Sequence, residues 1–142
     1  MQRELLTDPL TGKQLREELH YFVEFYAAKG ISSCSVLFGH AWGIKYYPTK
    51  DWLEEDVLLR SLLAKVEQVE ASGLGRLGSD DLFLKLPGLE FLFCNDSDLH
   101  LIFAQADPDI EHFFQRWKRL GFRPAEWLKT ERHGPGQKVR DA

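Results

Sequence analysis

The sequence has little cysteine and no long apolar run. Its two cysteines, Cys34 and Cys94, occur in a chain without an export signal, which favours free thiols in a reducing compartment. No apolar stretch approaches the roughly 18 residues that a membrane-spanning helix needs. The charged N-terminal segment, residues 1–10, also lacks the apolar core of a signal peptide. We therefore expect a cytoplasmic protein with no membrane partner.

Acidic side chains outnumber basic ones outside the C-terminal end of the chain. The formal net charge is −4, and residues 129–142 carry four basic and two acidic side chains, which leaves −6 on the rest. Binding to nucleic-acid phosphates needs a clustered basic surface. The charge distribution therefore predicts no nucleic-acid partner, whereas a negative surface favours the approach of a basic protein.

The sequence also lacks the short motifs of common enzyme families, such as G-x-S-x-G and H-E-x-x-H. The segment 73–78 has the spacing G-x-G-x-x-G, but it follows a predicted helix and precedes a predicted strand. A dinucleotide-binding turn needs the opposite order, because the phosphate must meet a helix N-terminus. We interpret this segment as a connector, predict no cofactor and assign no catalytic residues.

Apolar residues, by contrast, are abundant and regularly spaced. The chain of 142 residues is 44% hydrophobic and 13% aromatic, which is typical of a globular domain. Between Leu82 and Phe103 apolar residues recur at every second position in three runs. Turns at Pro87-Gly88 and at 95–98 separate these runs, which predicts three strands in a meander. Asp107-Pro108 then predicts the start of a helix with an apolar stripe formed by Ile110, Phe113, Phe114, Trp117 and Leu120.

The N-terminal half predicts two more helices and a hairpin. One helix covers about residues 13–29 and ends at Gly30. Alternation over residues 33–47 predicts a β-hairpin. Asp51 and Glu54 resemble a capping box, so we expect the next helix to run from there to about Ser72.

These elements predict an α+β domain with a mainly antiparallel sheet, made of a β-hairpin plus a three-stranded meander, and three helices in the order α-β-β-α-β-β-β-α. Residues 1–132 form the single domain, in which residues 1–10 are a short lead-in and 122–128 add a short turn. Residues 133–142 are a flexible C-terminal tail.

The turns of the meander also predict its register. A two-residue turn at Pro87-Gly88 sets Lys85 opposite Glu90, so that opposite charges face each other. In the second hairpin, an odd number of loop residues keeps the apolar side chains on one face. We expect Cys94 opposite His100 there, on the second face of the sheet.

Cysteine and histidine give the only constellation with chemical interest. Cys34 and His40 are six residues apart, as are Cys94 and His100, which would make a Cys₂His₂ zinc site if the two hairpins met. The same Cys94 and His100, with Asp96 or Asp98, would form a thiol nucleophile pair. The pattern shows neither a cleft nor an oxyanion hole, so we assign no metal ligands and keep a small thiol- or metal-dependent enzyme as the alternative.

The function that we prefer from sequence is a small acidic cytosolic protein-binding module, immunity- or antitoxin-like or chaperone-like, that acts on another protein and is not an enzyme. Its predicted partner-binding residues are three acids at an accessible helix start and two aromatic anchors beside them, namely Glu54, Glu55, Asp56, Trp52 and Tyr47. The competing interpretation is that the acids only favour the positive end of the helix dipole.

The tail provides the first testable prediction. Residues 133–142 contain Gly134-Pro135-Gly136 and have no apolar residue besides Val139 and Ala142. Deleting residues 133–142 should therefore change the melting temperature little. A loss of several degrees in a thermal melt would show that the tail packs on the domain.

Overall fold

The structure is a computed structural model that describes residues 2–39 and 54–128. In these residues the chain forms three helices and one seven-stranded antiparallel sheet, which confirms the predicted α+β class. The elements in chain order are β1 (Arg3–Leu6), α1 (Gly12–Ala28), β2 (Ser33–Phe38), β3 (Glu55–Leu58), α2 (Leu59–Ala71), β4 (Leu82–Leu86), β5 (Leu89–Phe93), β6 (Leu99–Phe103), α3 (Pro108–Arg119) and β7 (Ala125–Leu128).

The strand order across the sheet is β3-β2-β4-β5-β6-β1-β7. The predicted meander β4-β5-β6 lies in its middle, and the pairing of Lys85 with Glu90 is confirmed. In the second hairpin the loop is odd-numbered as expected, but the register differs by two residues, since His100 lies opposite Leu92. The prediction that Cys94 lies directly opposite His100 is therefore wrong. Cys94 faces Asp98 instead, and its backbone N–H donates to the Asp98 carbonyl at 2.9 Å.

Three of the seven strands were not predicted, and two of them lie in segments that were expected to be irregular. The segment expected to be a lead-in forms β1, which pairs with β6 on one side and β7 on the other. The segment expected to be a short turn after α3 forms β7. Both strands have four residues, and Leu5 and Leu6 are both buried, so β1 shows no alternation of apolar and polar residues.

The helix predicted to start near Asp51 starts later. Glu55–Leu58 form β3, which pairs with β2, and α2 begins at Leu59 without a side-chain cap. The predicted capping box is therefore wrong, because the pairing of Val57 with Cys34 draws this segment into the sheet. Asp51 itself and the predicted strand at residues 44–47 lie outside the described residues.

One face of the sheet and all three helices share a single hydrophobic core. At its centre, the ring of Phe91 on β5 contacts Phe22 of α1 and Phe113 of α3, with centroids 5.0 and 4.9 Å apart. The predicted start of α3 is confirmed, since Asp107 accepts from the Asp109 N–H at 2.8 Å and Pro108 occupies the first helical turn. The predicted apolar stripe is wrong only at Leu120, which is 47% exposed.

Buried carboxylates fix α1 against α3. Glu18 accepts hydrogen bonds from Arg116 at 2.6 Å and from the Trp117 ring N–H at 2.9 Å. In the first turn of α3, Asp109 accepts from the Tyr26 hydroxyl at 2.9 Å and from Lys29. Each of these carboxylates accepts hydrogen bonds from one charged side chain and from one neutral N–H or O–H group, which compensates the free-energy cost of its burial.

The packing of α3 in the core predicts the effect of shortening one of its buried side chains. Trp117 is 1% exposed, so Trp117→Ala should lower the free energy of unfolding by about 3–5 kcal/mol, through lost apolar burial and the cavity that remains. Leu120→Ala on the same helix is the matched control and should change it by less than about 0.5 kcal/mol. Urea denaturation measures both. Equal losses in the two variants would contradict this packing.

Candidate functional site

The acidic residues predicted to bind a partner lie at the β3 edge of the sheet. The Glu54 carboxylate accepts from Lys85 at 2.6 Å and from the Ser35 hydroxyl at 2.8 Å, and these bonds hold its pKa below the ordinary value. Glu55 forms an ion pair with Lys65 at 3.0 Å. Asp56 is exposed.

Two of the three charges are therefore balanced by lysines, which weakens their field on an approaching basic protein. Their place in the sheet also excludes the competing interpretation, because none of the three lies at a helix N-terminus. The two proposed aromatic anchors, Trp52 and Tyr47, lie outside the described residues. Protein binding at this surface stays a prediction.

The two cysteines do not come together. Cys34 is buried in the core, where burial, with a smaller effect of Asp56, raises its thiol pKa to about 11. It is at the end of the sheet where Ser35 pairs with Lys85, whereas Cys94 follows Phe93 at the other end. Along the strand direction the two cysteines are therefore about five residues, or roughly 16 Å, apart. The zinc set containing both cysteines is therefore wrong, and His40 lies outside the described residues.

The loop between β5 and β6 does assemble a cluster. One possible ligand atom from each of four residues lies within 4.8 Å of the other three, and these residues are Cys94, Asp96, Asp98 and His100. Asp98 and His100 are buried, at 3% and 6% exposure, Cys94 is half-buried and Asp96 is exposed. The cluster lies on the sheet face opposite the helices, as predicted for Cys94 and His100, because its strand residues alternate with core residues.

The backbone of this loop is held from several sides. Cys94 and Asp98 are joined by a backbone hydrogen bond, and the Ser97 N–H donates to the Cys94 carbonyl at 3.0 Å. Ser97 has φ of 75°, a left-handed conformation that is uncommon outside glycine and persists where the surroundings fix it. Its hydroxyl donates to the Gly78 carbonyl at 3.1 Å, and its carbonyl accepts from the Leu10 N–H at 2.9 Å. The loop is therefore shaped before any ligand binds.

His100 has an acidic partner at each ring nitrogen. Its Nε2 lies 3.0 Å from Asp98 Oδ1, and its Nδ1 is hydrogen-bonded to Glu4 Oε2 on β1. Burial opposes the charged ring, but hydrogen bonds with Asp98, Cys94 and Glu4 outweigh it and raise the pKa to about 11. The ring is thus doubly protonated at neutral pH and donates both N–H groups.

Glu4 is the residue of this site that sequence reasoning missed. It is 2% exposed and 96 positions from His100 in the chain. A glutamate immediately before Leu5 and Leu6 becomes a signal only once that segment is known to be a strand.

The geometry disfavours thiol catalysis. Burial raises the pKa of the Cys94 thiol, although its hydrogen bond with His100 opposes the shift. A nucleophilic cysteine needs the thiolate, which is supplied either by a lowered thiol pKa or by a neutral base that removes the proton. The pKa of Cys94 is raised on balance and His100 is already protonated, so this pair lacks an activated nucleophile.

Two clefts in the described part of the chain are weaker candidates for a functional site. One, of about 340 Å³, lies between α3 and the strands β1, β6 and β7, and the Arg3 at its rim already donates to Glu126 at 2.5 and 2.9 Å. The other, of about 400 Å³, lies beside the β4–β5 turn. Neither is lined by a cysteine or histidine among the described residues, so the β5–β6 loop is the stronger candidate.

Comparisons of the chain with protein-family models, curated proteins and solved structures find no match. In the described ranges, 2–39 and 54–128, the helices are too short or too polar to cross a membrane.

The support of the loop gives a testable prediction. Thr7 is fully buried, and its hydroxyl accepts the Leu99 N–H at 3.0 Å, between Asp98 and His100. Thr7→Val keeps the shape but leaves that N–H without its acceptor, so the free energy of unfolding should fall by about 1–3 kcal/mol. Thr7→Ser, which keeps the hydroxyl, should be the more stable of the two in chemical denaturation. The reverse order would show that methyl packing matters more than the hydrogen bond.

Proposed function

We propose that this protein binds a divalent transition-metal ion, with Zn²⁺ as the best match, through Cys94, Asp96, Asp98 and His100. The observation that carries the proposal is that one sulfur, one nitrogen and two carboxylate oxygens converge within 4.8 Å of one another. The ligands come from alternate residues of one short loop and the strand that follows it.

The spacing suits a tetrahedral ion after a small contraction. Zinc binds sulfur at about 2.3 Å and nitrogen or oxygen at about 2.0–2.2 Å, so tetrahedral ligand atoms lie roughly 3.3–3.8 Å apart. Bringing the most distant pair from 4.8 Å to that range needs a movement of about 1 Å. Asp96 is exposed and Cys94 is half-buried, so these two side chains have the most room to rotate toward the ion.

The ligand types select the class of ion. A thiolate and an imidazole favour zinc and its transition-metal neighbours, whereas Mg²⁺ and Ca²⁺ prefer sites built only from oxygen. Binding replaces the Cys94 thiol proton and the His100 Nε2 proton by the metal, so the two protons leave to solvent. The carboxylates of Asp96 and Asp98 then lie beside a cation of charge +2.

The arrangement favours a binding role over hydrolysis. Four protein ligands fill a tetrahedral ion, as in structural zinc sites, and a catalytic site keeps one position open. Asp96 is the exposed ligand, so it is the one that an external group would displace.

Metal titration tests the proposal. Metal-free protein should bind one Co²⁺ per chain with a sulfur-to-cobalt absorption band, and Zn²⁺ should displace the cobalt. Cys94→Ser should remove the band, and Asp98→Asn should weaken binding by at least about 10-fold. Cys34→Ala is the matched control, because it removes the other thiol and should leave the band intact.

Circular dichroism of each metal-free variant verifies the fold. Failure of the wild-type protein to bind one ion would overturn the proposal. It would equally be overturned by an unchanged cobalt band in Cys94→Ser.

A further inference from the structure

We infer that Glu4 is the positioning residue of this site, and that it couples metal binding to the docking of strand β1. The inference rests on the proposed metal-binding function. It adds a residue outside the ligand loop and a conformational consequence for the N-terminal strand.

The contact between Glu4 and His100 has the geometry that metal-bound histidines use. Such a histidine binds the ion through one ring nitrogen and donates its other N–H to a carboxylate or carbonyl, which fixes the ring and its tautomer. Here Nε2 is on the side of Asp98, and Nδ1 is bonded to Glu4. Because Glu4 occupies Nδ1, Nε2 is the ring nitrogen that faces the other ligands and is the one placed to bind the ion.

The position of Glu4 depends on the sheet. Glu4 pairs with Ile102 on β6 and with Trp127 on β7, and its neighbour Leu6 pairs with His100. Residues two apart on a strand share a face, so the pairing of Leu6 with His100 places Glu4 diagonally beside the ring. The carboxylate reaches Nδ1 only while β1 is docked between β6 and β7.

Because the contact between Glu4 and His100 requires docked β1, metal binding and the docking of this strand are coupled. Loss of a carboxylate that holds a metal-bound histidine typically lowers metal affinity by about 10- to 100-fold. Because linkage is reciprocal, bound metal must favour docked over undocked β1 by the same factor. The ion would therefore stabilise β1 without touching it.

Hydrogen exchange with and without Zn²⁺ tests the inference. In the wild-type protein, saturating Zn²⁺ should slow exchange of the β1 amides by about 10- to 100-fold more than exchange of the β2 amides. Glu4→Gln should lower Zn²⁺ affinity by about 10- to 100-fold and reduce the extra slowing to less than about 3-fold. Its cobalt band should persist, because the four ligands are intact.

Glu126→Gln is the matched control, since it removes a carboxylate from the neighbouring strand that binds Arg3 rather than His100. It should keep both the affinity and the extra slowing. If Glu4→Gln does not fold, the wild-type comparison of β1 with β2 decides.

The outcomes separate the two proposals. A wild-type protein that binds one Zn²⁺ but shows equal slowing in β1 and β2 overturns the coupling and leaves metal binding intact. A Glu4→Gln variant that binds Zn²⁺ with wild-type affinity also overturns the coupling and leaves metal binding intact. A wild-type protein that binds no metal overturns the proposed function itself.

Discussion

The structure depends on two buried carboxylates that contact opposite nitrogens of one imidazole. Glu4 and Asp98 are almost fully removed from solvent, and burying a carboxylate costs several kcal/mol unless a charge and hydrogen bonds compensate. His100 provides both, because its pKa is raised and its two N–H groups donate in opposite directions. A slip of β1 by one residue would place Arg3 or Leu5 where Glu4 must be, so this contact specifies the register of the strand.

The position of β1 then determines the edge of the sheet beyond β6. In the described residues β7 pairs only with β1, and Arg3 joins the two strands through its ion pair with Glu126. The same segment of chain supports the candidate site, because Thr7 and Leu10 bond the backbone next to Asp98. β1 and the four residues that follow it therefore link the outer sheet, the β5–β6 loop and the His100 ring.

Sequence periodicity predicted the strands in which core-facing apolar residues alternate with less buried ones, as in β4 and β5. The meander and its Lys85–Glu90 pair could be predicted because one face of those strands packs on helices, and α3 because its cap residues are unambiguous. β1 could not be predicted, since both of its faces are buried and four residues carry too little periodicity. Cys94 and His100 were singled out by spacing, whereas Glu4 was missed because its partner lies almost a hundred residues away. Side-chain chemistry between distant strands has no local signal.

The place of β1 between two late strands also sets an order of events during synthesis. β1 is made before β6 and β7, so its two pairing strands are absent until residues 99–128 follow it. Contacts this far apart in sequence close late and slow folding, because the loop between them must first be ordered. The central meander and α1 can pack while the chain is still being elongated, but this sheet is completed only after β7 has been made. The proposed metal site, which needs Glu4 beside His100, therefore reaches its final form only when β1 docks on strands that are made long after it.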